Sequence, residues 1–287
     1  MPNASLFLAL LIVHLLGDYY LQTPDLAARK EESYSWLVFH CLIYAVIMFL
    51  VIGIAAAPWW VFAIAAGTHW LIDSIKWMLR NTKLSKAVLF VADQALHLLV
   101  LLLLAHISPE AGLRGWLVAL NLTAASLAWA ALLLLILKPV NISVDIIFEK
   151  YALAAKEESK RQDQKALQAH LSPTEIEAEQ PSKTPNEKPL EVEGAGAWVG
   201  ILERLITILF ASMGQYAAMG LLMAAKSMAR YDKISKGPAF AEYYLIGTLF
   251  SLFFAIAGYL FIFKFVAPTP LVVDPTTIIL ITPTPIP

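Results

Sequence analysis

The stretch AVLFVADQALHLLVLLLLAH, Ala87 to His106, decides the class of fold. A helix of ~20 apolar residues is what it takes to cross the hydrocarbon of a bilayer. Its first half nevertheless carries Asp93, Gln94 and His97. A carboxylate at that depth costs ~2.5–3.5 kcal/mol on insertion scales unless something compensates it, so such residues are functional candidates by default. One segment thus says both that the solvent is lipid and that polar groups inside it have work to do.

The rest of the chain agrees. Of 287 residues, 59% are hydrophobic and only 15% charged, too little polar surface for a soluble domain. Comparable segments run roughly Ser5–Gln22, Trp36–Ile54, Trp59–Leu79, Gly115–Leu137, Trp198–Ala225 and Tyr243–Val266. The expected fold is all-α, a polytopic transmembrane helical bundle of about seven hydrophobic segments. The first apolar stretch, Leu6 to Leu16, lacks a basic flank and a clear cleavage site, and His14 and Asp18 interrupt it, so it reads as a retained span. The net charge of −1 gives no sign of a nucleic-acid partner, and the single cysteine, Cys41, excludes an intrachain disulfide.

Composition divides the chain into four parts. Residues 1–137 form a five-helix membrane domain, and 138–197 a polar cytoplasmic helix followed by a disordered linker. Residues 198–267 hold the C-terminal membrane segments, and 268–287, with repeated Thr-Pro pairs, a loose tail. Within the polar part, Ile142–Ala169 suits a solvated or amphipathic helix and Ser172–Gly196 the linker, which could recruit a protein partner. Lys and Arg mark the cytoplasmic ends: Arg29 and Lys30 after the first span, Arg80, Lys83 and Lys86 after the third, against Arg114 alone on the other side. This puts the N-terminus outside, in a bacterial inner membrane. A straight sixth helix would then carry Lys226, Arg230, Lys233 and Lys236 outside as well. One escape is a break near Gly214-Gln215 that turns Trp198–Ala225 into a re-entrant hairpin, since irregular backbone is tolerated where protein buries it; a straight span is the alternative.

Five of the six histidines lie in apolar segments. His14 and Asp18, His69 and Asp73, and Asp93 and His97 are each four apart, on one helical face, where both members of a pair can reach one ion. His40 stands near the start of the second span. One such pair in a membrane helix is as readily a packing contact as a ligand pair, but three on neighbouring helices are not so easily set aside. At ~1.5 Å rise per residue, Asp18, His40, Asp73 and Asp93 fall roughly 6–9 Å from the cytoplasmic ends of their helices. His14, His69 and His97 fall roughly 13–15 Å in. The expected centre is a ring of histidines stacked on a ring of aspartates. His106, at a helix end, reads as a surface residue, and His170 has no role.

The expected metal ligands are His14, Asp18, His69, Asp73, Asp93 and His97, with His40 as a further ligand or proton shuttle. Four histidines and three aspartates exceed the need of one four-coordinate ion, which suits two metals or one metal with a general base. These donors fit zinc, manganese or iron, and zinc or manganese is the expected divalent cofactor. Gln22 and Gln94 are placed to orient ligands by hydrogen bonds, although Gln22 equally suits a helix end in headgroup water. Lys76, with Arg80, could hold an anionic phosphate, and snorkelling anchors explain both as well. Further along, Glu203, Arg204, Gln215, Lys226, Arg230 and Glu242 either dock the last segments onto the first or line an approach to the site.

The pieces HLLGDYYLQ, HWLID, DQALH, AAKSMAR and AEYYLIGTLFS, in that order, resemble an uncharacterised bacterial integral-membrane family, the domain of unknown function DUF3307. The resemblance touches both halves but neither the linker nor the tail, and it implies no activity. At the level of the HxxxD motif alone the chain is also similar to inner-membrane proteins labelled metal-dependent hydrolases. The expected function is metal-dependent hydrolysis of a lipid-like ester or phosphoester at the cytoplasmic leaflet, with membrane lipid as the partner. There is no Gly-x-Ser-x-Gly elbow and no Gly-rich phosphate loop to support a serine hydrolase or an NTPase. The rivals are a proton or divalent-metal transporter, disfavoured by the apolar outer halves of the spans, and a metal-stabilised scaffold without turnover.

Overall fold

The computed structural model describes residues 3–120, 122–171 and 195–267, and within them the chain is helical. The expected linker and tail lie outside the described residues. The first helix, α1 (Ala4–Leu15), widens into a π-type turn at Leu16–Tyr20 and leads into α2 (Pro24–Glu32), which departs at 84°. Then come α3 (Tyr34–Ile54), α4 (Trp59–Leu79) and α5 (Lys86–Ile107).

Helix α1 is apolar all round, as a helix must be when neighbours enclose it. Leu6, Phe7, Leu8, Ala9 and Leu10 are fully buried. It packs against α3 and α5, α4 closes the square opposite by packing on both, and α7 (Ala124–Ile147) covers its remaining side. Asn3 caps α1 by accepting from the Leu6 amide, while its own side-chain amide donates to the carbonyls of Pro109 and Ala111. The loops after α3 and α5 are tied together by backbone bonds from Ala56 to Gly112 and from Arg114 to Ile54. This end of the bundle is therefore closed by Asn3, backbone bonds and an apolar plug of α1, Met48, Val51, Val61, Leu101 and Leu104.

The C-terminal half adds a second layer. The short α6 (Gly115–Ala119) precedes α7, whose start is capped by Thr123 and Ser126. Helix α7 runs on through Pro139 to Ile147, and α8 (Glu149–Leu171) follows it. Helices α9 (Ala195–Ser212), α10 (Tyr216–Ala229), α11 (Tyr231–Lys236) and α12 (Pro238–Leu260, extended by a π-type turn Phe261–Val266) complete the chain. The Glu158 carboxylate on α8 accepts from the Phe240 amide, neutralising an open donor in the first turn of α12.

Two expectations about segments change. Among the described residues Lys86–Ile107, Ala124–Ile147 and Pro238–Val266 can cross a membrane by length and apolarity, and the bent pair Ala4–Tyr20 with Pro24–Glu32 can count as a fourth, short of the expected seven or so. Helix α10, of 14 residues, is too short alone at ~1.5 Å per residue to cross ~30 Å, and α4 is diluted by the polar residues of its own site. The segment expected at Gly115–Leu137 is two helices, because the Thr123 cap restarts the chain, and the second helix continues past Leu137.

The expected break near Gly214-Gln215 is present. Gly214 adopts φ +70°, a conformation that favours glycine, and α9 and α10 fold back on one another. Lys226 Nζ then meets Glu203 Oε2 at 2.5 Å, which only a returning chain allows.

Candidate metal centre

Each of four helices contributes to one buried cluster. His14 and Asp18 come from α1 and its wide turn, His40 from α3, His69 and Asp73 from α4, and Asp93 and His97 from α5. The four histidines with Asp73 and Asp93 are each at most 4% exposed, and the Asp18 side chain is 9% exposed. The spacing of four does locally what it should, stacking each His–Asp pair along one face. Closeness between helices depends on Gly17. A Cβ there would lie 2.7 Å from Tyr44 Cδ2 and 2.9 Å from Ile47 Cδ1, so only glycine lets α3 come this near to α1.

The imidazole Nε2 atoms of His40 and His69 lie 3.3 Å apart. Asp18 Oδ1 is 3.5 Å from the first and 3.6 Å from the second, and Asp73 Oδ2 is 3.7 and 3.9 Å from them. Donors bonded at ~2.0–2.1 Å to a tetrahedral zinc stand about 3.4 Å from one another, so a small contraction closes this set on an ion. A second donor set joins His14, Asp18 and His69, and a third Asp73, Asp93 and His97. His69 and Asp73 are each shared between two of the three sets. The upper ring is equally close: the rings of His14 and His97 stack at 5.0 Å, and those of His69 and His97 approach to 4.6 Å.

Buried polar groups are nearly always hydrogen-bonded, and exceptions call for an explanation. Of the eight exceptions among the described residues, four belong to the cluster: His69 Nδ1 and the ligand atoms Asp18 Oδ1, Asp93 Oδ1 and His97 Nε2. A divalent ion would satisfy these three ligand atoms, and the residue types are those that zinc or manganese takes. The buried His/Asp groups could hold a metal ion.

Around the ligands, the Gln94 side-chain amide donates to Asp93 Oδ2 at 3.1 Å and reaches Asp18 Oδ2 at 3.4 Å, while its carbonyl accepts from the Tyr19 hydroxyl at 2.8 Å. It thus spans two carboxylates and is itself held, the arrangement by which an outer partner fixes metal ligands. His97 Nδ1 lies 2.9 Å from the Asp93 carbonyl, a bond that would leave Nε2 free for metal. Gln22 is not among these contacts; its buried Oε1 has no partner. Lys76 does not stand free at headgroup level as a snorkelling anchor would, because its ammonium donates to Asp93 Oδ2 at 2.8 Å.

Three participants were not legible as such. In the sequence Lys30 marks only orientation, yet its ammonium lies 3.3 Å from Asp73 Oδ2, the oxygen that also faces His40 and His69. It gets there because α2 turns back at 84°. Tyr44 stacks on His69 at a centroid distance of 3.5 Å and hydrogen-bonds His14 Nδ1 at 3.3 Å. Its position four after His40 was the available signal. Tyr19, next to Asp18, anchors Gln94. His106 is exposed, as a helix-end residue should be.

The C-terminal polar residues belong to another place. Arg204 Nε donates to the Ile136 carbonyl at 2.5 Å, Nη1 to Ser251 Oγ at 3.0 Å, and Nη2 to the Leu137 carbonyl at 3.2 Å and Asn141 Oδ1 at 2.8 Å. It docks α9 onto α7 and α12, beside the turn that Pro139 loosens by lacking an amide donor for Leu135.

The chain therefore resolves into a class: an all-helical membrane protein whose four N-terminal helices converge on a buried His/Asp cluster. Residues 6–123 match the family described as Protein of unknown function (DUF3307). That match covers the four helices of the cluster and ends before α7, so it does not reach the AAKSMAR and AEYYLIGTLFS pieces. No curated protein and no solved structure matches the chain.

Proposed function

We propose that the protein is a membrane-embedded metal-dependent hydrolase of the bacterial inner membrane, acting on an ester or phosphoester of a lipid-like substrate at the cytoplasmic leaflet. The observation that carries the reading is the sharing of His69 and Asp73 between overlapping donor sets, with ligand atoms of Asp18, Asp93 and His97 left unsatisfied. A zinc or manganese ion bound there would acidify a water and polarise the scissile group.

The chain's own groups supply the rest. Gln94 and Tyr44 hold the carboxylates and imidazoles in place. Lys30 and Lys76 put two ammonium groups beside the ligands, where an anionic substrate group would find them. His40, facing both Asp18 and Asp73, is placed to carry a proton. In the net reaction water adds across the ester bond, its hydroxyl passing to the acyl or phosphoryl group and its proton to the departing alcohol.

The apolar plug of α1, Met48, Val51, Leu101 and Leu104 supports one-sided access and weighs against transport through the cluster. The N-terminus lies outside in this reading, which places Arg29, Lys30, Arg80 and the α8 side in the cytoplasm.

The test is hydrolysis of phospholipids and of neutral acylglycerols by purified protein loaded with zinc or manganese. Turnover with either ion, abolished by Asp73→Asn and by chelation, supports the reading. Metal bound without turnover of either lipid class leaves a scaffold and overturns it.

A further inference from the structure

An open cavity of about 670 Å³ lies in the C-terminal half, lined by α7, α9, α10 and α12. None of its lining residues belongs to the metal centre, and it stands apart from the family match. Its size suits a ligand rather than a packing fault. Small residues keep it open: Gly196, Ala197 and Gly200 on α9, and Ala225 and Ala229 on α10. A Cβ at Gly200 would sit 3.1 Å from Arg204 Nη1, so the glycine leaves room for the guanidinium at the wall.

The wall carries three cations, Arg204, Lys226 and Arg230, against two carboxylates, Glu203 and Asp145, with polar side chains and an apolar stretch beside them. Arg204, 3% exposed, lines it, with Lys226 and Arg230 beside it on the returning arm of the hairpin. All four bonds of Arg204 go to neutral acceptors, two carbonyls, a hydroxyl and an amide oxygen. Glu203, the adjacent carboxylate, is turned instead onto Lys226. The guanidinium is therefore fixed in position and buried, and the one carboxylate beside it in sequence is shared with Lys226 and makes no salt bridge to it, which is costly in a low-dielectric setting. Val199, Leu202, Ile206 and Leu222 line the remainder with apolar surface.

We infer that this cavity binds a phosphate group, with Arg204 and Arg230 as its cationic contacts and the apolar wall receiving an attached acyl chain. After its four bonds Arg204 keeps one Nη1 hydrogen for a phosphate oxygen, and the apolar wall favours a phospholipid over inorganic phosphate as its source. The site serves recognition and carries no catalytic step. It does not depend on the hydrolase reading.

Native mass spectrometry of the delipidated full-length protein tests this with three probes: phosphatidylglycerol, diacylglycerol bearing the same chains, and inorganic phosphate. The expected result is one saturable phosphatidylglycerol per chain, with diacylglycerol at least ~10-fold weaker. Arg204→Gln should weaken the phospholipid at least ~10-fold. Should Arg204→Gln fail to fold, Ala225→Leu, which fills the cavity and keeps every charge, must give the same loss. Inorganic phosphate binding as tightly as the phospholipid would support phosphate recognition with a soluble source. Diacylglycerol binding as well as phosphatidylglycerol, no binding by any phosphate probe, or binding indifferent to Ala225→Leu would overturn the inference.

Discussion

Two polar clusters are buried in this apolar protein, and they are satisfied in opposite ways. Around Arg204 four hydrogen bonds from one guanidinium join α9 to α7 and α12. Around His69 and Asp73, three carboxylates and four imidazoles face one another, and four of their nitrogen and oxygen atoms have no hydrogen-bond partner. In a low-dielectric interior an unmet polar group costs far more than a met one gains. A cluster that is bonded to the chain throughout holds the fold whether or not a ligand joins it, and a cluster left open at ligand atoms is one that awaits an ion. The two should part company under mutation.

The largest effect is expected at the shared ligand. Asp73→Asn should lower metal affinity by more than ~100-fold, beyond the usual cost of an outer partner, as read by competition with a metallochromic chelator. In the metal-free protein the same change should also lower thermal stability, because it leaves the buried Lys30 ammonium without its carboxylate. Arg204→Met should cost stability alone. Its loss leaves four acceptors without their donor, at about 1–3 kcal/mol for each that stays buried and unmet, measured by unfolding in detergent, and metal affinity should stay at its wild-type value. If both variants lose metal and stability together, the contrast between the clusters is broken.

Gly17→Leu should follow, since overpacking costs ~1–3 kcal/mol and the new side chain must displace Tyr44 and Ile47. It should move both measurements, because it parts α1 from α3 where the ligands meet. Gln94→Leu should weaken metal by ~10–100-fold with little change in apo stability. The smallest effect belongs to position and not to energy. With Cys41 replaced by Ser, cysteines at Arg230 and Pro185 should react with an impermeant thiol reagent from the same side of the membrane, as the break at Gly214 requires. Labelling from opposite sides would mean that the hairpin passes through.

Much of the cluster was legible because helical spacing is short-range physics. Three His–Asp pairs at a spacing of four, read for depth along antiparallel helices, place the residues at matching levels, and the structure brings them into contact. What the spacing cannot carry is contact made by a turn of the chain. Lys30 reaches Asp73 only because α2 bends sharply after the wide turn, and nothing in Pro24–Glu32 itself announces the target. Tyr44 in an apolar helix reads as ordinary core. The C-terminal cavity was hidden for a similar reason, since glycine and alanine on α9 and α10 look like close packing until the helices are placed. Helix boundaries were the weakest part: the Thr123 cap splits a segment whose hydropathy is nearly continuous.

The central claim is that the histidine and aspartate rings hold a divalent ion. Metal content of the purified protein, after exposure to zinc or manganese and removal of the excess, tests it most directly, with His69→Ala as the variant and the exposed His106→Ala as its control. The account predicts one or two tightly held ions per chain, retained in His106→Ala and lost in His69→Ala. A folded wild-type protein that retains no ion, or a His69→Ala variant that keeps the full complement, would contradict it.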